Sequence, residues 1–501
     1  MVKDNISQKL LKKKLIENLC TDYTSISGDG YFIADKTIAA FLSPYTEWRF
    51  KNHFNSPNSS PIQNNLEIAG LKLELTTSNL SLEFKYAVFT VLTAPLYTLL
   101  LIVMLFSKSK RKSRQYNLFY SITKEQLYKN NSLKKFENFI TDSRFDFTLK
   151  KNRTNLIEQK RKRLVPCKSK VVTVTRSIPL YLYRNNLTLL EKIKVISKSM
   201  KICLYISLHI NRCPSLYLVT KELVIDKAIY EELISKQDFE TTLITTQSQL
   251  FVRPIIFYMS RRSSKNMIWY SANNDPILKS ASDFRDYEDS FYDLQDINTH
   301  YVWTESQKAK IQQSNQRNIE IKVVGSIIFE PRDLTLRDGL NSYPIITYFD
   351  VTPTSHMYFQ ESFYSEKNMI DNLTAVVNSV QNTSINTGKN LMLRIKPKRS
   401  ALKGHHSLKY LQVLDKFADN GVVTMLQSEQ NTYSLVKQSS LVICVPFSSP
   451  CLIAKELKVP TIYFSENREY LLGSSHEEIE VLVGAEALSR YLITMFRQFD
   501  C

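Results

Sequence analysis

A chain of 501 residues with 43% hydrophobic side chains has material for two or three cores, and its 10 glycines and high aromatic content exclude a largely disordered chain. Seven scattered cysteines with no C-x-x-C pair, and seven histidines with no H-E-x-x-H, exclude a disulfide framework and give no metal motif; a reducing compartment fits them. The formal charge of +18 suggests nucleic acid at first, but residues 107–170 alone hold 19 Lys and Arg against 5 Asp and Glu, and no RNP, zinc-finger or helix-turn-helix signature accompanies them, so no nucleic-acid partner is expected.

Residues 1–86 form an N-terminal region without an informative motif. Residues 87–106, "AVFTVLTAPLYTLLLIVMLF", run twenty positions without a charge, about the length that crosses a hydrocarbon layer. The next twenty residues carry six Lys or Arg, against two in the twenty before, which by the positive-inside bias puts the following chain on the cytoplasmic side of an inner membrane and beside anionic lipid. Pro95 opens the hydrogen-bond ladder of such a helix, so a spanning helix, an in-plane or re-entrant anchor and a buried core helix all stay open. Residues 107–170 read as a basic linker next to that segment.

From residue 171 short apolar runs alternate with helical stretches. "VVTVT", "CLYISLHI", "LYLVT" and "TTLITT" read as strands or buried segments, "AIYEELISK" as a helix, "NMIWYSA" as another strand, "HYVWTESQKAKIQQS" as a strand end with a helix, and "IEIKVVGS" as a further strand. A second series starts at "YPIITYFDVTP". It continues through the helix "NMIDNLTAVVNSVQ", the strand "NLMLRI", the helix "LKYLQVLDKFAD", the strand "VVTML", the helix "TYSLVKQ", the strand "LVICV", the helix "CLIAKEL" and the strand "TIYF". The expected fold class is α/β: two Rossmann-like domains, 171–325 and 326–501, facing a cleft, with a membrane-associated region before them.

Between "LVICV" and "CLIAKEL" lies "PFSSP". Pro450 suits the start of a helix, which puts Ser449 at the N-cap and Ser448 beside it, at the positive end of a helix dipole where a phosphate can bind. A serine there can also do no more than cap its own helix. The strand "NLMLRI" runs into Arg394, Lys396, Lys398 and Arg399 at the same predicted sheet edge, and cations beside a helix N-terminus stabilise a departing phosphate without a metal. Asp350 and His356 follow the first strand of this half and border the expected cleft.

The phrases "TTQSQLFVRPIIF", "MIWYSANNDPI", "YVWTESQ", "VVGSIIF", "ITYFDVTP", "LRIKPKR" and "VPFSSP" resemble, in order, bacterial polysaccharide-biosynthesis proteins named for a PFTS motif, with Ser448 standing where the name has Thr. The resemblance implies a GT-B type glycosyltransferase of surface polysaccharide synthesis, taking a nucleotide-sugar donor (CMP-, UDP- or GDP-linked) in the C-terminal half, in a donor cleft with Pro446, Phe447, Ser448 and Ser449, and a glycan or lipid-linked acceptor in the N-terminal half; in the absence of a metal motif no cofactor or metal is expected. The basic loop and serine pair are also similar to those of enzymes using cytidine nucleotides, with Lys398 where their pattern has His. Asp275 and Glu305 are the candidates for the base an inverting reaction needs, and Gln247, Tyr270, Asn273 and Asn274 for acceptor hydroxyls. A sugar-nucleotide epimerase on the same fold and a non-catalytic membrane-associated binding protein are the rival readings.

Overall fold

The computed structural model describes residues 61–68, 71–78, 98–106, 115–122, 144, 153–159, 171–174, 178–209, 228–229, 232, 238–246, 263, 265–270, 297–314, 319–326, 343–353, 365–398, 407–419, 421, 423–428, 430–446, 448–467, 475–476 and 478–498. They form an antiparallel hairpin of β1 (Pro61–Ile68) and β2 (Leu71–Ser78) and two larger sheets, which belong to two compact units.

The sheet of the first unit contains β3 (Gln115–Ile122), β4 (Thr154–Gln159), β5 (Val171–Val174), β6 (Asp238–Thr246), β7 (Lys265–Tyr270), β8 (Thr299–Val302) and β9 (Glu320–Val323). All seven are parallel, in the order β5-β4-β3-β6-β7-β8-β9. Residues 107–170, expected as a linker, thus supply two of its strands, and β3 lies next to the central strand β6. Leu118, Phe119, Tyr120, Leu156 and Ile157 are fully buried, as strands covered on both faces require. The buried guanidinium of Arg153 pairs with Glu240 at 2.7 Å, which ties the start of β4 to β6.

Helices α1 (Ile178–Asn186) and α2 (Leu189–His209) follow β5. The stretch "CLYISLHI", expected as a strand or a buried segment, continues α2, because buried Val195, Ile196 and Ser199 set a helical period that the apolar run then extends. Helix α3 (Glu305–Ser314) follows β8. Thr304 Oγ1 accepts from the Gln307 N–H at 3.1 Å, and Gln307 Oε1 accepts from the Trp303 N–H at 2.9 Å. This reciprocal pairing satisfies donors that a helix start leaves unpaired.

His300 in β8 is fully buried, with Nε2 3.3 Å from the Ile297 carbonyl, and burial pushes its pKa down to about 3. Its contribution to stability is complete above the usual imidazole value of 6.5 and is lost as pH falls towards about 3. Melting followed by circular dichroism at pH 7 and pH 4.5 should show the first unit losing several degrees in acid, and His300→Phe should flatten that dependence.

The second unit carries β10 (Ile345–Phe349), α4 (Glu366–Thr387), β11 (Met392–Lys396), α5 (Leu408–Asp419), β12 (Thr424–Met425), α6 (Thr432–Lys437), β13 (Leu441–Cys444), α7 (Ser449–Glu456), β14 (Thr461–Ser465), β15 (Ser475–His476), β16 (Ile479–Val483) and α8 (Ala485–Arg497). Strand order is β12-β11-β10-β13-β14-β16-β15, parallel except for the short edge strand β15. One face packs Ile346, Tyr348, Leu393, Ile395, Leu441, Ile443, Ile462 and Phe464 against α4, α5 and α8. Each such side chain, fully buried, contributes about 1.5–3 kcal/mol relative to exposure, so this face dominates the unit's stability.

In α8, Leu488, Leu492 and Phe496 recur every fourth residue and are fully buried, which makes it the closing helix of that layer. Gly484 precedes it at φ 83°, where a side chain would be strained.

Of the apolar run 87–106, the described part is helical over 98–103, and residues 87–97 lie outside the described residues. Among the described residues no helix is long and apolar enough to cross a membrane.

Candidate functional site

In the second unit the chain leaves β10 through α4, builds β11 and β12 on one side, and returns through α6 to place β13 on the other side of β10. The order of the parallel strands is therefore 3-2-1-4-5-6, and its reversal opens a crevice at the carboxyl ends of β10 and β13, where doubly wound sheets bind ligands. Phe349 is in register with both Lys396 and Cys444. Asp350, Pro397 and Val445 consequently leave the sheet at one level.

Val445 begins the turn that contains Pro446. Its carbonyl accepts from the Ser448 N–H at 3.3 Å and from Ser448 Oγ at 2.8 Å, so the Ser448 hydroxyl closes the turn. Proline at the second position is what such a turn favours. Ser448, not Ser449, is the N-cap of α7, one residue earlier than expected, and its side chain makes no capping bond. Ser449 and Pro450 occupy the first turn, half-buried, with the positive end of the helix dipole at the reversal. The helix is fixed from below: Cys451, Leu452, Ile453 and Ala454 are buried, and Cys451 Sγ donates to the Ile462 carbonyl at 3.2 Å. Phe447 lies outside the described residues.

Across the reversal, Asp350 is 3% exposed. Its Oδ2 accepts from Thr352 Oγ1 at 3.4 Å, and its N–H donates to the Lys396 carbonyl at 3.1 Å. Burial pushes its carboxyl up to about 6, against the opposing pull of the Tyr410 and Thr352 hydroxyls, the Val351 N–H and Lys398. A carboxyl titrating near neutrality can accept a hydrogen bond from a ligand hydroxyl or, protonated, donate one. Pro353 accepts from the N–H of Ser407, whose hydroxyl caps α5 through the Tyr410 N–H at 3.1 Å and also bonds Glu366. The loop after β10 is thereby anchored to the start of α5.

The basic residues divide. Lys398 is exposed just past β11 and acts electrostatically on Asp350. Lys396 is 7% exposed, and its ammonium donates to the Ser428 carbonyl at 3.0 Å. Arg394 lies mid-strand and donates to Gln438 Oε1 at 3.2 Å. Because they are two apart in a strand, Arg394 and Lys396 share the face opposite the α4–α5 layer. Arg399 and His356 lie outside the described residues.

Two groups were missed by sequence reading. Tyr410 sits in α5, and its polar role is hidden inside an ordinary amphipathic pattern. Glu466 directly follows β14, its N–H donating to Asn372 Oδ1 at 2.7 Å and its pKa raised chiefly by burial; an acid immediately after an apolar strand was its signal.

In the first unit the reversal lies between β3 and β6. Gln247 is the next residue after β6 but lies outside the described residues, as do Asn273, Asn274 and Asp275. Tyr270 ends β7, with its side chain outside the described set. Glu305 is exposed in the first turn of α3, paired with Lys308 at 3.3 Å.

No curated protein matches the chain. Among solved structures, it is similar to an E. coli trehalose-6-phosphate structure bound with UDP-2-fluoro glucose (TM-score 0.41, 10% identity, covering 76% of this chain and 94% of that one). It is also similar to the wall teichoic acid polymerase TagF (0.40, 11%, 84% and 89%) and to Anabaena HepE in complex with UDP and glucose (0.39, 11%, 77% and 90%). These likenesses are too loose to assign chemistry. Residues 204–492, by contrast, match the family described as polysaccharide biosynthesis PFTS motif protein, a stretch that includes the whole of the β10–β13 reversal. Matched over more than half its length, the chain belongs to the PFTS-motif polysaccharide biosynthesis family.

Proposed function

We propose that the protein is a GT-B type glycosyltransferase that moves a sugar from a nucleotide donor, bound at the β10–β13 reversal of the second unit, to a glycan or lipid-linked acceptor bound by the first unit. One observation carries the reading. Pro446, Ser448 and Ser449, in the stretch that resembles the family's motif, form a turn and a helix start without a side-chain cap at the reversal of a sheet in Rossmann order. The helix start and Ser449 would hold the donor phosphates, Ser448 would keep the turn in shape, and Lys398 would offset charge building on the leaving nucleotide. Asp350 would accept from a donor hydroxyl. Arg394 and Lys396 would act by shaping the edge, since both are already engaged within the unit. The base for the acceptor is assigned to Asp275 or Glu305. The nucleotide is CMP-, UDP- or GDP-linked, the reaction needs no metal, and the protein works at the cytoplasmic face of the inner membrane, against anionic lipid.

Thermal stabilisation of the purified protein by CMP, CDP, UDP and GDP tests the donor site and names the nucleotide. One nucleotide should raise the melting temperature. The paired change Ser448→Ala with Ser449→Ala should abolish that rise while costing the free protein about 1 kcal/mol for the lost turn bond. Ser449→Ala alone keeps the turn and should weaken binding without that loss. A ligand shift that survives both changes overturns the assignment.

A further inference from the structure

The described end of the apolar run is not folded away. Residues 98–103 form a helix that turns out at 104–106, and its contacts with the first unit run along one side: Leu101 is fully buried, its carbonyl accepting from the Tyr183 hydroxyl of α1 at 3.0 Å, and the Met104 carbonyl accepts from the Lys192 ammonium of α2 at 3.4 Å. The other side of the helix carries Leu99, Ile102 and Val103, and Phe106 is exposed in the turn that follows. Val103 and Phe106 are 68% and 81% exposed. A core-facing helix would turn such side chains inward.

Helix α2, bonded to that segment through Lys192, repeats the pattern. Its outer side exposes Leu189, Leu190, Ile193 and Met200, interleaved with Lys194 and Lys201, while Lys198 pairs with Glu232 at 3.6 Å. Large apolar side chains among lysines are the composition of a surface that lies in a bilayer interface, the apolar groups entering the acyl boundary and the ammonium groups meeting headgroup phosphates. The chain after Phe106, "SKSKRKSR", adds five basic residues, and acidic residues are scarce as far as residue 170. A second copy of this face would oppose lysine to lysine.

We propose that the outward sides of segment 98–106 and α2 form one docking surface for an anionic lipid bilayer, so that the protein lies on the membrane through this face. The proposal builds on the membrane placement above and not on the sugar-transfer chemistry.

Co-sedimentation of the full chain with vesicles tests it. The protein should pellet with phosphatidylcholine–phosphatidylglycerol vesicles, far less with phosphatidylcholine alone, and less as salt rises. Lys194→Glu with Lys201→Glu should weaken binding by roughly tenfold or more. Val103→Ser, Phe106→Ser, Leu190→Ser and Ile193→Ser together should do the same at any salt, with an unchanged circular dichroism spectrum. If the apolar variant fails to fold, the lysine variant, altered only at exposed positions, decides alone. Binding by the unaltered chain that both variants retain overturns the surface but leaves the membrane placement standing. Absence of binding to any vesicle overturns both. A drop in oligomer mass in the apolar variant without lipid, with vesicle binding intact, overturns the lipid assignment in favour of a second copy.

Discussion

Replacing Asp350 with Asn should make the second unit more stable at pH 8 and, on the proposed donor site, less able to bind a nucleotide. Burial raises the folded-state pKa of this carboxyl from 3.8 to about 6, so the folded chain holds the proton more tightly than the unfolded chain does. Its contribution is therefore fully present below about pH 3.8 and is lost as pH rises through about 6. Above that range the ionised side chain costs about 3 kcal/mol. Asparagine keeps the shape and removes the charge, so Asp350→Asn should raise the melting temperature at pH 8 by roughly 5–10 °C and leave it unchanged at pH 4. A gap of the same size at both pH values would mean that packing, not ionisation, is responsible. A carboxylate that weakens the fold at neutral pH is what a binding crevice keeps and a core does not. The same variant should accordingly lose the thermal shift with nucleotide. Acid acts in opposite senses through the two groups, weakening the first unit at His300 and relieving the second at Asp350.

Glu240→Gln should destabilise the first unit by about 3–5 kcal/mol, because it neutralises the carboxylate that faces the buried Arg153 guanidinium at 2.7 Å. Removing both charges together, as Arg153→Met with Glu240→Leu, should recover most of the loss, since an apolar pair of similar volume replaces a costly buried ion pair. Urea titration of the three proteins measures this. If Glu240→Gln costs less than about 1 kcal/mol, as an exposed pair would, Arg153 does not tie β4 into the sheet.

The contrast between those two regions shows what the sequence made legible. Alternating apolar runs revealed β5 to β14 with few exceptions because strands covered on both faces need uninterrupted apolar material, and Ile345–Phe349 and Leu441–Cys444 are buried at every position. β3 and β4 escaped because they stand in the most basic stretch of the chain, where charge outweighs two short strands in any window average. "CLYISLHI" stayed open because apolar runs of that length suit a strand and a buried helix equally. At the site, the position of the serines was legible but not the function of the first: only the turn geometry shows that the Ser448 hydroxyl bonds back to Val445 and does not cap its helix. Lys396 and Arg394 were legible as cations, while their partners, Ser428 and Gln438, come from segments 32 and 44 residues away.

The strand order of the two sheets also governs when each crevice comes into being. The strands at each reversal are joined across long stretches of chain: the Thr245 hydroxyl of β6 reaches the Tyr120 carbonyl of β3 over 125 residues, and Ser439, just before β13, meets Thr347 of β10 over 92. Closing loops of that length before any contact rewards it is slow, and a high contact order sets the folding rate. During synthesis β10 can pair with β11 long before β13 leaves the ribosome, so half of the second sheet forms with its future crevice still an open edge. Arrival of β13 covers that edge and completes the reversal while α7, β14, β16 and α8 are still to be added, so the crevice takes shape before the unit closes under its last helix.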